Sequence, residues 1–385
     1  MNKNDLYDTL FKKYRKRKIT VSSSEIKNLI NRFYKQAKEN YNSLPTPKLC
    51  SKKVYLSLWI NQEITKDIST KSLKTVKTNS PPNDLKEAIN FFQKENYHHI
   101  SPNTDKSILV SASQDYIKVI KEKNIFAQNR GYKSYIDMRL DNGQISHTEY
   151  KLFLKNINLF ALKSKKYYNK SIFPKSQLSN VCFVCQSKQL PYQDIDEFVK
   201  IFSKKYPLLK KHNKRIQVNL SDSSNFEYIK ETDTFIININ KNIKLNHQII
   251  DFIHEISHIN LMIKIFQKDS YIQPNSYILE KMAIKKEINL IKKYLPEILI
   301  PKIRYASMTI CHTLFEIKLF NNPNQNPDIL YSRLLNKFYI DKNIKENNGY
   351  LYNKDILFKN LSQLIYAIAY CNVFTKLFLQ HRINN

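Results

Sequence analysis

Apolar residues recur at helical spacing over most of this chain and at strand spacing in a few short pieces near its middle. Leu245, Ile249, Ile250, Ile253, Ile256 and Ile259 predict a largely buried helix from about residue 245 to 266, with Asn242 or Asn246 as its cap. Just upstream, residues Thr234 to Asn240 read Thr-Phe-Ile-Ile-Asn-Ile-Asn, a β-branched run bounded by polar residues, and predict a strand leading into that helix. Two more β-rich pieces, Val181–Cys185 and Arg215–Asn219, flank a helical pattern at Ile195–Tyr206. Near the N-terminus, Ser22 and Glu25 form a capping box ahead of Ile26, Leu29, Ile30 and Phe33, and the helix breaks at Ser43–Pro47. Helical patterns follow at about 55–64, around Trp59, and at 84–97, 106–128, 132–140 and 146–169. The stretch 65–84, which reaches Pro81-Pro82, reads as a linker or loop. Gly131 suits a helix C-terminus that needs positive φ, and Asp141-Asn142-Gly143 suits a turn. Beyond Pro301 the chain is helical again, with polar loops at 321–328 and 342–348. The pattern predicts an α+β protein, mainly α with a small β-sheet. A helical N-terminal lobe spans 1–174 and a β-containing domain spans 175–385.

The chemistry concentrates in the 245–266 helix, in His254-Glu255-Ile256-Ser257-His258. Positions i and i+4 share a helix face, so His254 and His258 can hold one metal ion together. Glu255 stands about 100° round the helix, where it reaches a water on that metal more readily than the metal. Catalytic zinc takes three protein ligands and a water. Glu280, 22 residues beyond His258, is the candidate third ligand. It opens a second predicted helix with Ile278, Met282, Ile284, Ile288 and Ile291 as apolar positions, after a turn at Pro274-Asn275. Glu287 lies seven residues on, on nearly the same face, as a further ligand or as the group that orients a ligand imidazole. The strand before the helix offers a sheet edge on which an extended peptide can align.

This pattern resembles the gluzincin peptidases, and within them the thimet oligopeptidase and oligoendopeptidase F family, shortened at the N-terminus. The spacing of His254, Glu255, His258, Glu280 and Glu287 carries the resemblance. Asn129-Arg130-Gly131-Tyr132-Lys133-Ser134-Tyr135 and Thr313–Leu319 are similar to family helices outside the motif. Ser257 stands where the family usually has Gly, and is small enough to let a substrate strand pass. The resemblance implies a zincin-like catalytic core under the helical lobe, with a cleft between them. It implies a Zn2+-dependent metallopeptidase that hydrolyses short or unfolded peptides. His254, His258 and Glu280 would hold the zinc, and Glu255 would activate its water. A tyrosine hydroxyl would polarise the scissile carbonyl, with Tyr352 and Tyr366 as the leading candidates and Tyr350 beside them.

Composition adds less. The chain has 385 residues, enough for a substantial core, and a net charge of +30. Such charge suits a nucleic-acid or membrane surface. Basic residues are nevertheless spread along the chain, with local runs at Lys12–Lys18 and at Lys204-Lys205 with Lys210-Lys211. Lys, Asn and Ile are abundant and Gly numbers 3, a compositional bias that weakens the argument from charge. A solvated lysine surface is therefore the expectation, against nucleic-acid binding as the main role, and a peptide is the expected partner. Two other readings stay open: a binding protein that keeps the fold without catalysis, and a basic nucleic-acid binder. No run of eighteen apolar residues and no leader is visible, so the expected setting is cytoplasmic, with no membrane partner. The Cys number 5, an odd count that fits a reducing compartment. Cys182-x-x-Cys185 has no second pair, so buried thiols are expected there. His312, with Glu316 one turn on, can approach the site from a neighbouring helix, while His98, His99, His147, His212, His247 and His381 lack ligand-like neighbours.

Overall fold

The computed structural model describes residues 22–42, 104–165, 190–229, 232, 234–267, 276–338, 348–353, 356 and 360–380. The predicted helices at 55–64 and 84–97, the linker or loop to Pro81-Pro82, the strand Val181–Cys185 with its Cys pair and the Lys12–Lys18 run lie outside them. Eleven described helices follow in order: α1 (Ser23–Asn42), α2 (Lys106–Asn129), α3 (Tyr135–Asn142), α4 (His147–Ser164), α5 (Ile195–Lys205), α6 (Pro207–His212), α7 (Leu245–Gln267), α8 (Ser276–Tyr294), α9 (Leu299–Asn321), α10 (Pro327–Lys337) and α11 (Leu364–Gln380). Three strands stand between α6 and α7: β1 (Ile216–Ser221), β2 (Asn225–Ile229) and β3 (Thr234–Asn240). The architecture is the predicted one, mainly helical with one small sheet. No helix among the described residues is long and apolar enough to cross a membrane.

The chain divides into two compact units built from interleaved segments. One comprises residues 1–80, 192–243 and 255–274, the other 81–191, 244–254 and 275–385. The sequence pattern instead places its boundary at 174.

In the first unit, α1 opens on the reciprocal capping box: Glu25 N–H donates to Ser22 Oγ at 3.2 Å, and Ser22 N–H to Glu25 Oε2 at 2.8 Å. Its stripe of Ile26, Leu29, Ile30 and Phe33 is buried. The sheet is mixed, in the order β1-β3-β2, with β1 parallel and β2 antiparallel to β3. Phe235, Ile237 and Ile239 alternate onto the buried face of β3, as a half-buried strand requires. β3 is thus the middle strand and both its edges are occupied. That overturns its expected role as the edge that aligns a peptide. Among the described residues the edges are β1 and β2, and β2 has no counterpart in the sequence reading.

In the second unit, α2, α3, α4, α8, α9, α10 and α11 share one core. Its centre is aromatic: Phe315 lies 4.8 Å from Tyr350 and 5.1 Å from Tyr331, ring centre to ring centre. Gly131 ends α2 at φ 80°, the left-handed cap its sequence position predicts. In the next turn positive φ falls on Gln144 (54°), not on Gly143, whose missing Cβ makes room for Ile365. Gln144 Oε1 and the Gly143 carbonyl accept from Ser276 N–H and Oγ–H and so fix the start of α8.

A buried polar knot fixes the start of α11. Glu316 Oε1 on α9 accepts from the Leu361 N–H at 2.9 Å and from Asn360 Nδ2 at 3.2 Å. Lys123 donates to Asn360 Oδ1, and Arg139 to the Leu361 carbonyl. These bonds hold Leu361 at φ 55°, a strained value for a bulky residue. Burial pushes the Glu316 carboxyl up to about 8, against its hydrogen bonds from Leu361 and Asn360 and the charges of Lys123 and Arg139. A raised folded-state pKa stabilises fully below the unfolded value near 4.5 and loses that contribution as pH rises through 8. Glu316→Gln should remove this dependence. Between pH 5 and 8 its unfolding free energy should gain on the parent's by a few kcal/mol. Urea midpoints at the two pH values measure the change; a constant difference would contradict it. Lys123, lowered to about 8 chiefly by burial, titrates in its own window between 8 and 10.5, above that range.

Candidate metal centre

α7 is apolar almost all round: Ile249, Ile250, Phe252, Ile253, Ile256, Ile259 and Ser257 are buried. Ser257 is fully buried. Against this background His254, Glu255 and His258 are conspicuous polar groups, with Glu255 and His258 buried and His254 nearly so. Asn246, an expected cap, instead accepts from the Leu190 N–H at 3.3 Å.

α8 begins at Ser276, one turn before the predicted start, so Glu280 sits in its second turn. Ile278 and Met282, read as core, are exposed; Tyr277, Ala283, Ile284, Glu287, Ile288 and Ile291 form the buried face. The face is pinned beside α4 and α11. Tyr277 Oη donates to Glu149 at 2.8 Å, Lys281 Nζ to Glu149 at 2.8 Å, and Asn372 Nδ2 to Glu149 at 3.0 Å.

His254, His258 and Glu280 each offer a ligand atom, and the three atoms all lie within 4.8 Å of one another. His254 Nε2 is 3.4 Å from Glu280 Oε2. Two ligands about 2.1 Å from one tetrahedral zinc stand about 3.4 Å apart, so this pair already has the spacing of a coordination shell. Two imidazoles and a carboxylate are also the donor chemistry zinc takes in catalytic sites. The residues present fit the ion.

The other ring nitrogen shows how the imidazole is held. His254 Nδ1 lies 3.3 Å from Glu287 Oε2, and Glu287 is fully buried. Glu287 is therefore placed to orient the ring from behind, and the open choice between its two roles falls on this side. Its other oxygen, Oε1, is 2.6 Å from Lys302 Nζ on α9. Burial raises the Glu287 carboxyl, and Lys302 and His254 outweigh it, leaving it below the usual range. For His254 burial opposes the charge, and hydrogen bonds to Glu280 and Glu287 prevail, lifting it to about 10. A metal ion would have to displace that proton.

Of the tyrosine candidates, Tyr366 on α11 has its ring centre 6.3 Å from that of His254. Tyr350 is ruled out. It is buried in the aromatic core, donates to Asp328 at 2.9 Å and meets Ser113 at 2.8 Å. The side chain of Tyr352 lies outside the described residues. His312 is likewise engaged elsewhere, with Nε2 2.9 Å from Tyr331 Oη and Nδ1 3.1 Å from Asn353 Nδ2. Two participants escaped the sequence reading. Lys302 is one; its signal is a basic residue set among apolar ones at a helix start, Leu299-Ile300-Pro301-Lys302-Ile303. Phe226 on β2 is the other, stacked at 5.4 Å on His258, and the short alternation Phe226-Glu227-Tyr228 is its signal.

No protein-family model and no curated protein matches the chain. Solved structures do. PZ peptidase A, determined with an inhibitor, matches with a TM-score of 0.50 at 13% identity, over 93% of this chain and 75% of that one. A protein provisionally named oligoendopeptidase F matches with a TM-score of 0.51 at 11% identity, over 97% of this chain and 70% of that one. The helices and the small three-stranded sheet thus form an oligopeptidase-like fold.

Proposed function

We propose that this chain is a zinc-dependent peptidase acting on short or unfolded peptides, with His254, His258 and Glu280 as the metal ligands. The observation that carries it is the convergence of these three donors, with Glu287 behind the first imidazole. The oligopeptidase-like fold supports the substrate class. Zinc held there would supply a Lewis acid for the scissile carbonyl and acidify the attacking water.

The protein's own groups carry the rest. Glu255, on the same helix and one residue beyond His254, takes the proton of the attacking water and hands it to the leaving amine. Tyr366 donates its hydroxyl hydrogen to the carbonyl oxygen as negative charge develops there. The antiparallel edge strand β2, anchored beside His258 through Phe226, replaces β3 as the strand along which an extended peptide aligns by main-chain hydrogen bonds.

The reading is tested by incubating the zinc-loaded chain with a mixed peptide pool and following cleavage by mass spectrometry, with and without a chelator. Cleavage that stops with the chelator and returns with zinc is expected; a loaded chain that leaves the pool intact would end the catalytic reading. Tyr366→Phe should lower kcat by about 10²–10³-fold, the cost of one oxyanion donor, with zinc affinity unchanged. Steady-state kinetics beside a zinc titration separates the two effects.

A further inference from the structure

We propose that Lys302 is a positioning residue for the metal centre. Its ammonium fixes the Glu287 carboxylate as the charged acceptor behind His254. The assignment rests on the zinc reading above.

Lys302 lies in the first turn of α9 and is 4% exposed. Lysines are almost never buried so deeply without a partner. Here the partner is explicit. Nζ stands 2.6 Å from Glu287 Oε1, and Oε2 of the same carboxylate stands 3.3 Å from His254 Nδ1. The two oxygens thus serve two different cations or donors, and the carboxylate is held at both ends. The rings of Tyr305 and Tyr370 flank the ammonium, with centres 5.3 and 5.2 Å away, and present their negative faces to it.

The arrangement answers a need of the site. His254 must present Nε2 forward as a lone pair, so Nδ1 must carry the hydrogen, and a charged acceptor behind the ring fixes that tautomer. A fully buried carboxylate needs a compensating charge close by. Lys302 supplies it from a third helix and thereby joins α7, α8 and α9 at the metal ligand. A buried ion pair is a weak source of stability, which leaves position as the main contribution of this one.

The test is zinc affinity of the full chain, by competition with a chromophoric chelator, for the parent, Lys302→Met, Glu287→Gln and the double variant, with cooperative unfolding as a folding check. If Lys302 acts through Glu287, Lys302→Met should weaken zinc binding by about 10–100-fold, as loss of an outer partner does. In the Glu287→Gln background the same change should cost less than about 3-fold. Affinity unchanged by Lys302→Met, or losses that multiply in the double variant, would overturn the assignment while leaving the zinc reading standing. A parent chain that takes up no zinc would end both. If Lys302→Met alone does not fold, the charge-neutral double variant against Glu287→Gln carries the test: matched affinities support the role, and a further tenfold loss overturns it. Failure of the double variant to fold would make Lys302 a determinant of the fold and overturn the role as well.

Discussion

Glu255→Gln is expected to bind zinc as the parent does and to lose peptide hydrolysis by about 10²–10⁴-fold, the usual worth of a positioned acid–base group. Gln has the size and hydrogen-bonding reach of Glu, so α7 should keep its packing around the 9%-exposed residue 255. It cannot accept a proton, so the attacking water would have to shed its proton to bulk solvent. Helical periodicity separates the two functions: ligands at i and i+4 on one face, the base about 100° round. A variant with parental turnover would remove Glu255 from the mechanism; one that lost its zinc would make it a ligand or a structural group instead.

The second large effect is expected at Glu280. Glu280→Ala removes the candidate ligand that α8 supplies. Two imidazoles on one turn leave the ion with little more than water, so affinity should fall by more than the roughly 10–100-fold typical of losing a partner outside the coordination sphere. Hydrolysis should fall with it at limiting zinc. The fold should persist, because Glu280 sits at the margin of the α8 face that Tyr277, Ile284, Glu287 and Ile288 bury. Zinc titration together with far-UV circular dichroism reads both. A Glu280→Ala chain with parental affinity would mean that the third ligand comes from elsewhere.

What the sequence disclosed, it disclosed through period and spacing. A buried helix carrying His254 and His258 four residues apart, and Glu287 seven beyond Glu280, can be read because the helical repeat fixes which side chains share a face. Gly131 was legible because few other residues adopt φ 80° at a helix end. The capping box at Ser22 and Glu25 is a local device that tertiary structure need not alter. Contacts set by chain crossings were not legible. Nothing in Thr234–Asn240 says whether that strand is central or at an edge, because Phe235, Ile237 and Ile239 would alternate in either case; the position depends on β2, a short half-polar strand. Ile278 and Met282 fit the helical stripe of α8 yet face outward, since the start of the helix and its rotation are set by Gln144, Gly143 and Glu149 in distant segments. Tyr350 looked available because a hydroxyl's partner cannot be read from its own residue, and Asp328 is 22 positions away. Lys302 passed for one more lysine in a chain whose formal charge is +30.

In the proposed centre one zinc ion is held by two imidazoles and one carboxylate. X-ray absorption at the zinc edge of the stoichiometrically loaded chain reads this directly. One zinc per chain is expected, with a shell of nitrogen and oxygen at about 2.0–2.2 Å and the outer scattering of two imidazole rings. A chain that takes up no stoichiometric zinc, or a shell with sulfur at about 2.3 Å from the Cys182 and Cys185 pair, would contradict it.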